Sequence, residues 1–190
     1  MNTLFSNITN KINISEQEFE TFRSLTKTIS LKRNDFFIDE GRIAKYIAFV
    51  IEGVLHSYSI DEKGEKHVIQ IALENYWISD LYSFFSEEPA LFNVQAIETS
   101  EIIVLSKESF SKACDTIPAF ERFFRILIQN AYVASQRRVS KIYKNSAEER
   151  YLAFIQEHPE VIQRVPQHYI ASYLGIKPQS LSRIRKNLSR

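Results

Sequence analysis

The chain has 190 residues, 44% of them hydrophobic and 25% charged, enough for one sizeable core and a small appended domain. It has no run near the roughly 18 apolar residues of a membrane span, and its start, MNTLFSNITNKINISEQEF, lacks a secretory signal pattern, so a cytoplasmic protein with no membrane contact is expected. The formal net charge of +1 hides an asymmetry: residues 136–190 hold eleven Lys and Arg against four Glu, +7, while the first 135 positions hold 13 basic and 19 acidic residues, −6, as when a nucleic-acid-binding end is joined to a domain with another task.

Ser15 and Glu18 stand in the Ser-x-x-Glu arrangement that caps a helix, and Phe19, Phe22 and Leu25 follow at helical spacing, which predicts an amphipathic helix over 15–29. From Leu31 to Ser106 the texture changes to short runs broken by turn residues: DFFIDEG, YIAFVIEG, VLHSYSI, HVIQIAL, NVQAIETS and EIIVLS. Strands about 8 to 12 residues apart are the signature of an all-β sandwich or barrel. Residues 61–65, DEKGE, read as a polar hairpin turn between two of them.

Helical periodicity returns after Ser106, and Pro118 suits the first turn of a long helix. Phe120, Phe124, Leu127, Ala131 and Ala134 step by four, three, four and three, a heptad-like seam that pairs the helix with a second subunit or packs it on its own β domain. Cys114 precedes it. A single cysteine forms neither an internal disulfide nor a four-thiolate iron-sulfur cluster, and it reads as a small buried apolar residue. Ser146, with Glu149 three positions on, caps a further helix.

The tail carries the sharpest local pattern. In VPQHYIASYLGIKPQSLSRIRKNL a first helix holding Ile170, Ala171 and Leu174 ends at Gly175, and a second begins at Pro178. Ala171 lets two steeply crossed helices approach, Gly175 tolerates the left-handed turn between them, and Ile176 fills the space beneath it. Leu181, Ile184 and Leu188 form the inner stripe of the second helix. The outer face then holds Gln179, Ser180, Ser182, Arg183, Lys186 and Asn187, with Lys177 in the turn. Gln pairs with adenine and Arg with guanine, while Ser and Lys hold phosphates, so double-stranded DNA is the expected partner. A solvated helix of a small structural domain would show the same surface.

These segments together resemble the Crp/Fnr family of bacterial regulators over almost the whole chain. Gly41, Gly53 and Gly64 fall at the turns of IDEGRIAKYIAFVIEGVLHSYSIDEKGEKHVIQI, and Ile170, Gly175, Ser180, Arg183 and Ile184 match the family's helix-turn-helix. The resemblance implies an α+β fold: a cyclic-nucleotide-binding-like β-roll (jelly roll) with flanking helices over 1–116, a long dimerisation helix over 117–145, and a C-terminal winged helix-turn-helix over 146–190. It also implies a homodimer joined along 118–142.

The sequence departs from that pattern where the ligand would sit. In cyclic-nucleotide binders a Gly-Glu-Leu sequence supplies a ribose-binding carboxylate and a later Arg neutralises the phosphate. Here Ser79, Asp80 and Leu81 stand at the first position, and Ala90 stands at the arginine. No Lys or Arg occurs between Lys66 and Lys107, so cyclic AMP is not expected. An unidentified small-molecule effector, apolar in character, is the alternative, because Trp77, Tyr82, Phe84, Phe85 and Phe92 crowd the region; plain core packing would gather the same aromatics.

No cofactor is expected either. His56, His67, His158 and His168 are isolated, and no His-x-His, P-loop or nucleophile elbow argues for a metal barrel or another enzyme. Pro178 replaces a base-reading arginine common in the family, and the chain stops at Arg190, so no wing strand is expected beyond the second helix. The remaining rival is a ligand-binding or protein-interaction module whose helix-turn-helix no longer binds DNA.

Overall fold

The computed structural model describes residues 2–188. Arg190, where the expected absence of a wing strand falls, lies outside them. A first helix, α1 (Asn2–Thr9), occupies a segment to which the sequence reading assigns no element. Its signal is Leu4, Ile8 and Ile12 at steps of four, all buried.

The next helix, α2 (Glu16–Ser24), starts at the expected capping box, with Ser15 Oγ accepting from Glu18 N and the Glu18 carboxylate accepting from Ser15 N. It ends five residues earlier than the expected 15–29, because Thr26–Leu31 is strand β1. The β-branched run there pairs antiparallel with residues 100–105, and that ladder outweighs a weak local helical preference.

The roll continues with β2 (Phe36–Ile38), β3 (Tyr46–Glu52), β4 (Leu55–Ile60), β5 (Lys66–Ala72), β6 (Trp77–Ile78), a short α3 (Leu81–Ser86), β7 (Asn93–Ala96) and β8 (Ser100–Ser106). Two antiparallel four-stranded sheets result, ordered β1-β8-β3-β6 and β2-β7-β4-β5. The pleat explains why several strands read as unbroken apolar runs: they are covered on both sides. Ala48, Val50, Ile102 and Val104 face the interior between the sheets, while Ile47, Phe49, Ile103 and Leu105 face the helices outside.

One turn of the roll is geometrically unforgiving. Gly53 has φ of +97°, and a Cβ there would stand 2.2 Å from Ser100 Oγ and 2.7 Å from Ser100 Cα. Gly53→Ala therefore combines a left-handed strain with an overlap that backbone movement alone relieves. It should lower stability by about 1–3 kcal/mol, read as a reduced midpoint in thermal or urea unfolding.

The helical half comprises α4 (Lys107–Thr116), α5 (Pro118–Lys144), α6 (Ala147–Glu157), α7 (Val161–Arg164), α8 (Gln167–Leu174) and α9 (Pro178–Leu188). Pro118 opens the 27-residue α5 as expected. The expected seam along this helix needs correction at its start. Phe120 and Phe124, with Phe123, are buried in a cluster with α1, α2 and the β3–β8 face, where Phe120 stacks on Phe22 at 4.1 Å. Leu127 is partly buried on the same cluster, so of the five seam residues Ala131 and Ala134 alone are exposed. Farther along, the exposed apolar stripe is displaced by one position, through Ile128, Tyr132, Val139 and Tyr143. Cys114 is half-buried rather than buried, and burial pushes its thiol up.

Candidate nucleic-acid interface and ligand cavity

The C-terminal helices do not form an isolated core. Tyr151, Phe154, Val161, Val165, Ile170, Ala171 and Leu174 pack in one cluster with Val54, Tyr58, Val68, Ile71 and Leu73 of the roll. Polar ties run along the same contact. Ser172 Oγ accepts from Val68 N at 2.9 Å and donates to Lys66 O at 2.7 Å, serving the outer rim of strand β5. The Arg164 guanidinium donates to both oxygens of Glu74, at 2.8 and 2.7 Å, and to Glu98. Glu74 also accepts from Gly53 N, and the paired guanidinium holds its carboxyl well below the usual range, at about 2. Beside them His56 is buried between Tyr58 and Tyr169, its Nδ1 without a hydrogen-bond partner. Burial, with the charge of Lys66, lowers its pKa to about 4.

Within this setting α8 and α9 form the expected pair. Gly175 takes the left-handed conformation at φ 64°, and its N–H, with that of Ile176, closes the end of α8 onto Ala171 and Ser172 carbonyls. Ala171 and Ile176 are buried, as are Leu181 and Ile184 on the inner side of α9. Leu188 is not: it is 45% exposed. Lys177, Gln179, Ser182, Arg183, Lys186 and Asn187 are exposed, and Ser180 is half-buried at the margin. Among the described residues no carboxylate pairs with Lys177 or Arg183, and no Asp or Glu follows Glu160 in the chain.

One anchoring residue is invisible to sequence reasoning, which registers it as charge alone. Arg150 of α6 donates to Leu174 O at 2.9 Å and Gly175 O at 3.2 Å, and also to Asn145 O at 2.6 Å and Ile142 O. One guanidinium thus joins the carbonyl ends of α5 and α8, where helix dipoles favour a cation. Its planar fork makes that bridge in a way a lysine cannot. No spacing rule signals it, since its partners lie in distant segments.

The nucleotide-site candidates separate. Asp80 is fully buried and caps α3: one oxygen accepts from Ser83 N at 2.9 Å, the other from Leu91 N and Phe92 N at 2.7 and 2.9 Å. Its carboxylate is therefore engaged inside the protein. Ala90, 3% exposed, is stitched by its own backbone to Gly41 and Arg42. Ser79 and Leu81, by contrast, line a cavity of about 510 Å³ between strands β5 and β6, helix α1 and the long helix α5. Trp77 and Phe85 line it too, whereas Phe84 lies in the core and Tyr82 and Phe92 do not line the cavity. Asp61, Glu65 and His67 gather at the exposed hairpin tip, where Asp61 pairs with His67 at 2.8 Å.

Residues 28–116 match the family model of the cyclic nucleotide-binding domain. By structure, the chain is similar to FixK2 from Bradyrhizobium japonicum, with a TM-score of 0.76, 17% identity, and 86% of this chain and 84% of that one covered. It is also similar to the c-di-GMP responsive global regulator CLP of Xanthomonas campestris, at 0.73 and 13%, covering 92% of each chain. A transcriptional regulator of the CRP/FNR family from Thermus thermophilus aligns at 0.65 and 14%, over 86% of each. The fold is that of the Crp/Fnr regulators. A sequence comparison with curated proteins gave no match. In Crp/Fnr terms the β-roll, the long helix and the terminal helix pair follow in the expected order. No helix among the described residues is long and apolar enough to cross a membrane.

Proposed function

We propose that this Crp/Fnr-fold protein is a DNA-binding transcription regulator that reads duplex DNA with α9. The observation that carries this reading is the outer face of α9: Gln179, Arg183 and Lys186 stand exposed on a helix whose other side is anchored by Leu181 and Ile184, with Lys177 exposed in the turn before it. A helix so held, with donors exposed at its start and no acidic neighbour after Glu160, has the shape and charge for a major groove. The working units are 1–116 as sensor, 117–145 as dimerisation helix and 146–190 as DNA-binding unit, in a cytoplasmic homodimer joined along 118–142. The stripe Ile128, Tyr132, Val139 and Tyr143 supports that pairing in the second half of α5. Two recognition helices would then meet successive major grooves about 34 Å apart.

Salt dependence tests this directly. Affinity for duplex DNA should fall linearly on a log–log plot with rising salt, by a slope of about −0.9 per phosphate neutralised. A flat response would favour the rival reading, a ligand-binding or protein-interaction module with a helix-turn-helix remnant.

The sensor is proposed as a degenerate nucleotide domain responding to another small molecule. An anionic phosphate at Ala90 would lack an arginine at that position, since the neighbouring Arg42 turns its side chain to solvent beside Asp39, and the Asp80 carboxylate is buried with both oxygens held by backbone amides. Calorimetric titration with cyclic AMP or cyclic GMP should give no saturable heat at micromolar concentration; a tight, saturable isotherm would refute this part.

A further inference from the structure

The cavity beneath α5 has a one-sided electrostatic lining. Its walls are mostly apolar, with Trp77, Leu81, Phe110 and Phe124 among them, and its size lies within the range of small-molecule sites. Two charged side chains line it, Lys11 and Arg138, both cationic. Neither has a carboxylate partner among the described residues. Lys11 Nζ is directed to the Asn7 carbonyl and side-chain oxygen, at 2.9 and 3.3 Å. Arg138 donates through Nη1 alone, to Val68 O and Tyr173 O, each at 3.1 Å. Its Nε and Nη2 donate no hydrogen bond among the described residues, and the guanidinium lies over the Tyr173 ring, 5.0 Å from its centre.

We infer that this cavity binds an elongated apolar molecule bearing one carboxylate, with the carboxylate on the Arg138 guanidinium and the chain running along α5 toward Phe124. This rests on the effector-responsive reading above and names the chemistry of its ligand. A planar guanidinium with Nε and Nη2 outside any hydrogen bond matches a carboxylate bidentately, whereas the Lys11 ammonium is a point donor already directed to two oxygens of Asn7. Along a helix rising 1.5 Å per residue, the path from Arg138 to Phe124 is on the order of 20 Å, long enough to accommodate an extended chain of about a dozen carbons. The absence of any acidic lining residue excludes cationic amphiphiles by charge. A carboxylate on Nε and Nη2 shares the guanidinium whose Nη1 holds Val68 O and Tyr173 O, and so fixes the orientation of that fork. Occupancy is thereby felt at α8, which bears Tyr173 and leads into the recognition helix.

Trp77, the single tryptophan of the chain, lines the cavity and reports on it. The full-length protein should be titrated with dodecanoate, dodecanol and dodecyltrimethylammonium, each below its micellar concentration, while Trp77 emission is followed. Saturable binding of dodecanoate, one per chain and at least tenfold tighter than dodecanol, is expected, with none for the cation. Arg138→Gln should erase the preference for dodecanoate over dodecanol while dodecanol still binds, and Arg138→Lys should restore part of it. Circular dichroism of each variant establishes that it is folded. Equal binding of acid and alcohol, non-saturating partition, or a preference abolished in Lys11→Gln but kept in Arg138→Gln would each overturn the assignment. So would a concentration-dependent Trp77 shift without added ligand, which would place a second copy of the chain in the groove. DNA affinity, measured separately, distinguishes the two failures: ligand binding without DNA binding sinks the regulator reading and leaves the cavity assignment standing.

Discussion

Replacing Arg183 by alanine is expected to weaken duplex binding by about 1–3 kcal/mol and to relax preference at one base position. The side chain leaves α9 on the face opposite Leu181 and Ile184, is exposed, and has no ion pair within the described residues. Its removal costs the free protein nothing in packing, so the thermal midpoint should stay unchanged. Lys177→Ala makes the matching control: removing a phosphate-holding cation from the turn should lower affinity for all sequences alike and reduce the salt slope by about one. A fluorescence-anisotropy series on selected and scrambled duplexes separates the two patterns. Should Arg183→Ala leave both affinity and preference intact, α9 is not the reading helix.

The second large effect concerns the tie between the roll and the tail. Arg164→Ala strips the guanidinium from between Glu74 and Glu98 and leaves two carboxylates facing each other in a partly enclosed site. Removing one partner of a buried pair costs about 3–5 kcal/mol. With roughly a third of each side chain exposed here, screening reduces the expected loss to about 2 kcal/mol. Its pH dependence has a definite sign. Glu74 has a folded pKa of about 2, below its ordinary 4.5, so its stabilisation is complete above about pH 5 and disappears as pH falls toward 2. His56, lowered to about 4 from 6.5 by burial, resists protonation in the folded state; stability therefore falls from about pH 6.5 down to 4 as the unfolded chain takes up the proton. Urea unfolding at stepped pH should thus show acid loss in two windows. Glu74→Gln should flatten the lower one and His56→Phe the upper one; unchanged windows in both variants would disprove the attribution.

Much of the architecture was legible because periodicity and punctuation agreed. The short apolar runs of β3 and β8, the capping boxes at Ser15 and Ser146, Pro118 at the start of α5 and Gly175 at the end of α8 each express a local rule that tertiary packing leaves intact. The misses arise where distant segments decide. Residues 26–29 read as helix until β8 pairs with them, and Phe120 and Phe124 read as an intersubunit seam until the β3–β8 face and α1 are seen to cover them. Arg150 and Arg164 look like surface charge in one dimension because their acceptors lie in other segments. Of the site, the outer face of α9 followed from spacing alone. The cavity did not, since its walls come from both ends of the roll and from α5.

Strand β5 closes one sheet without a neighbouring strand, and its Lys66–Val68 peptide groups are instead satisfied by Ser172 and Arg138. Were the last helices to swing outward as a rigid arm, that row of donors and acceptors would be bared to any passing chain, and intermolecular sheet growth would follow. Reorientation of α9 is therefore confined to sliding or pivoting motions that keep α8 seated on the strand. A chain truncated before Gln167 inherits the opposite fate, a sticky border with no lid.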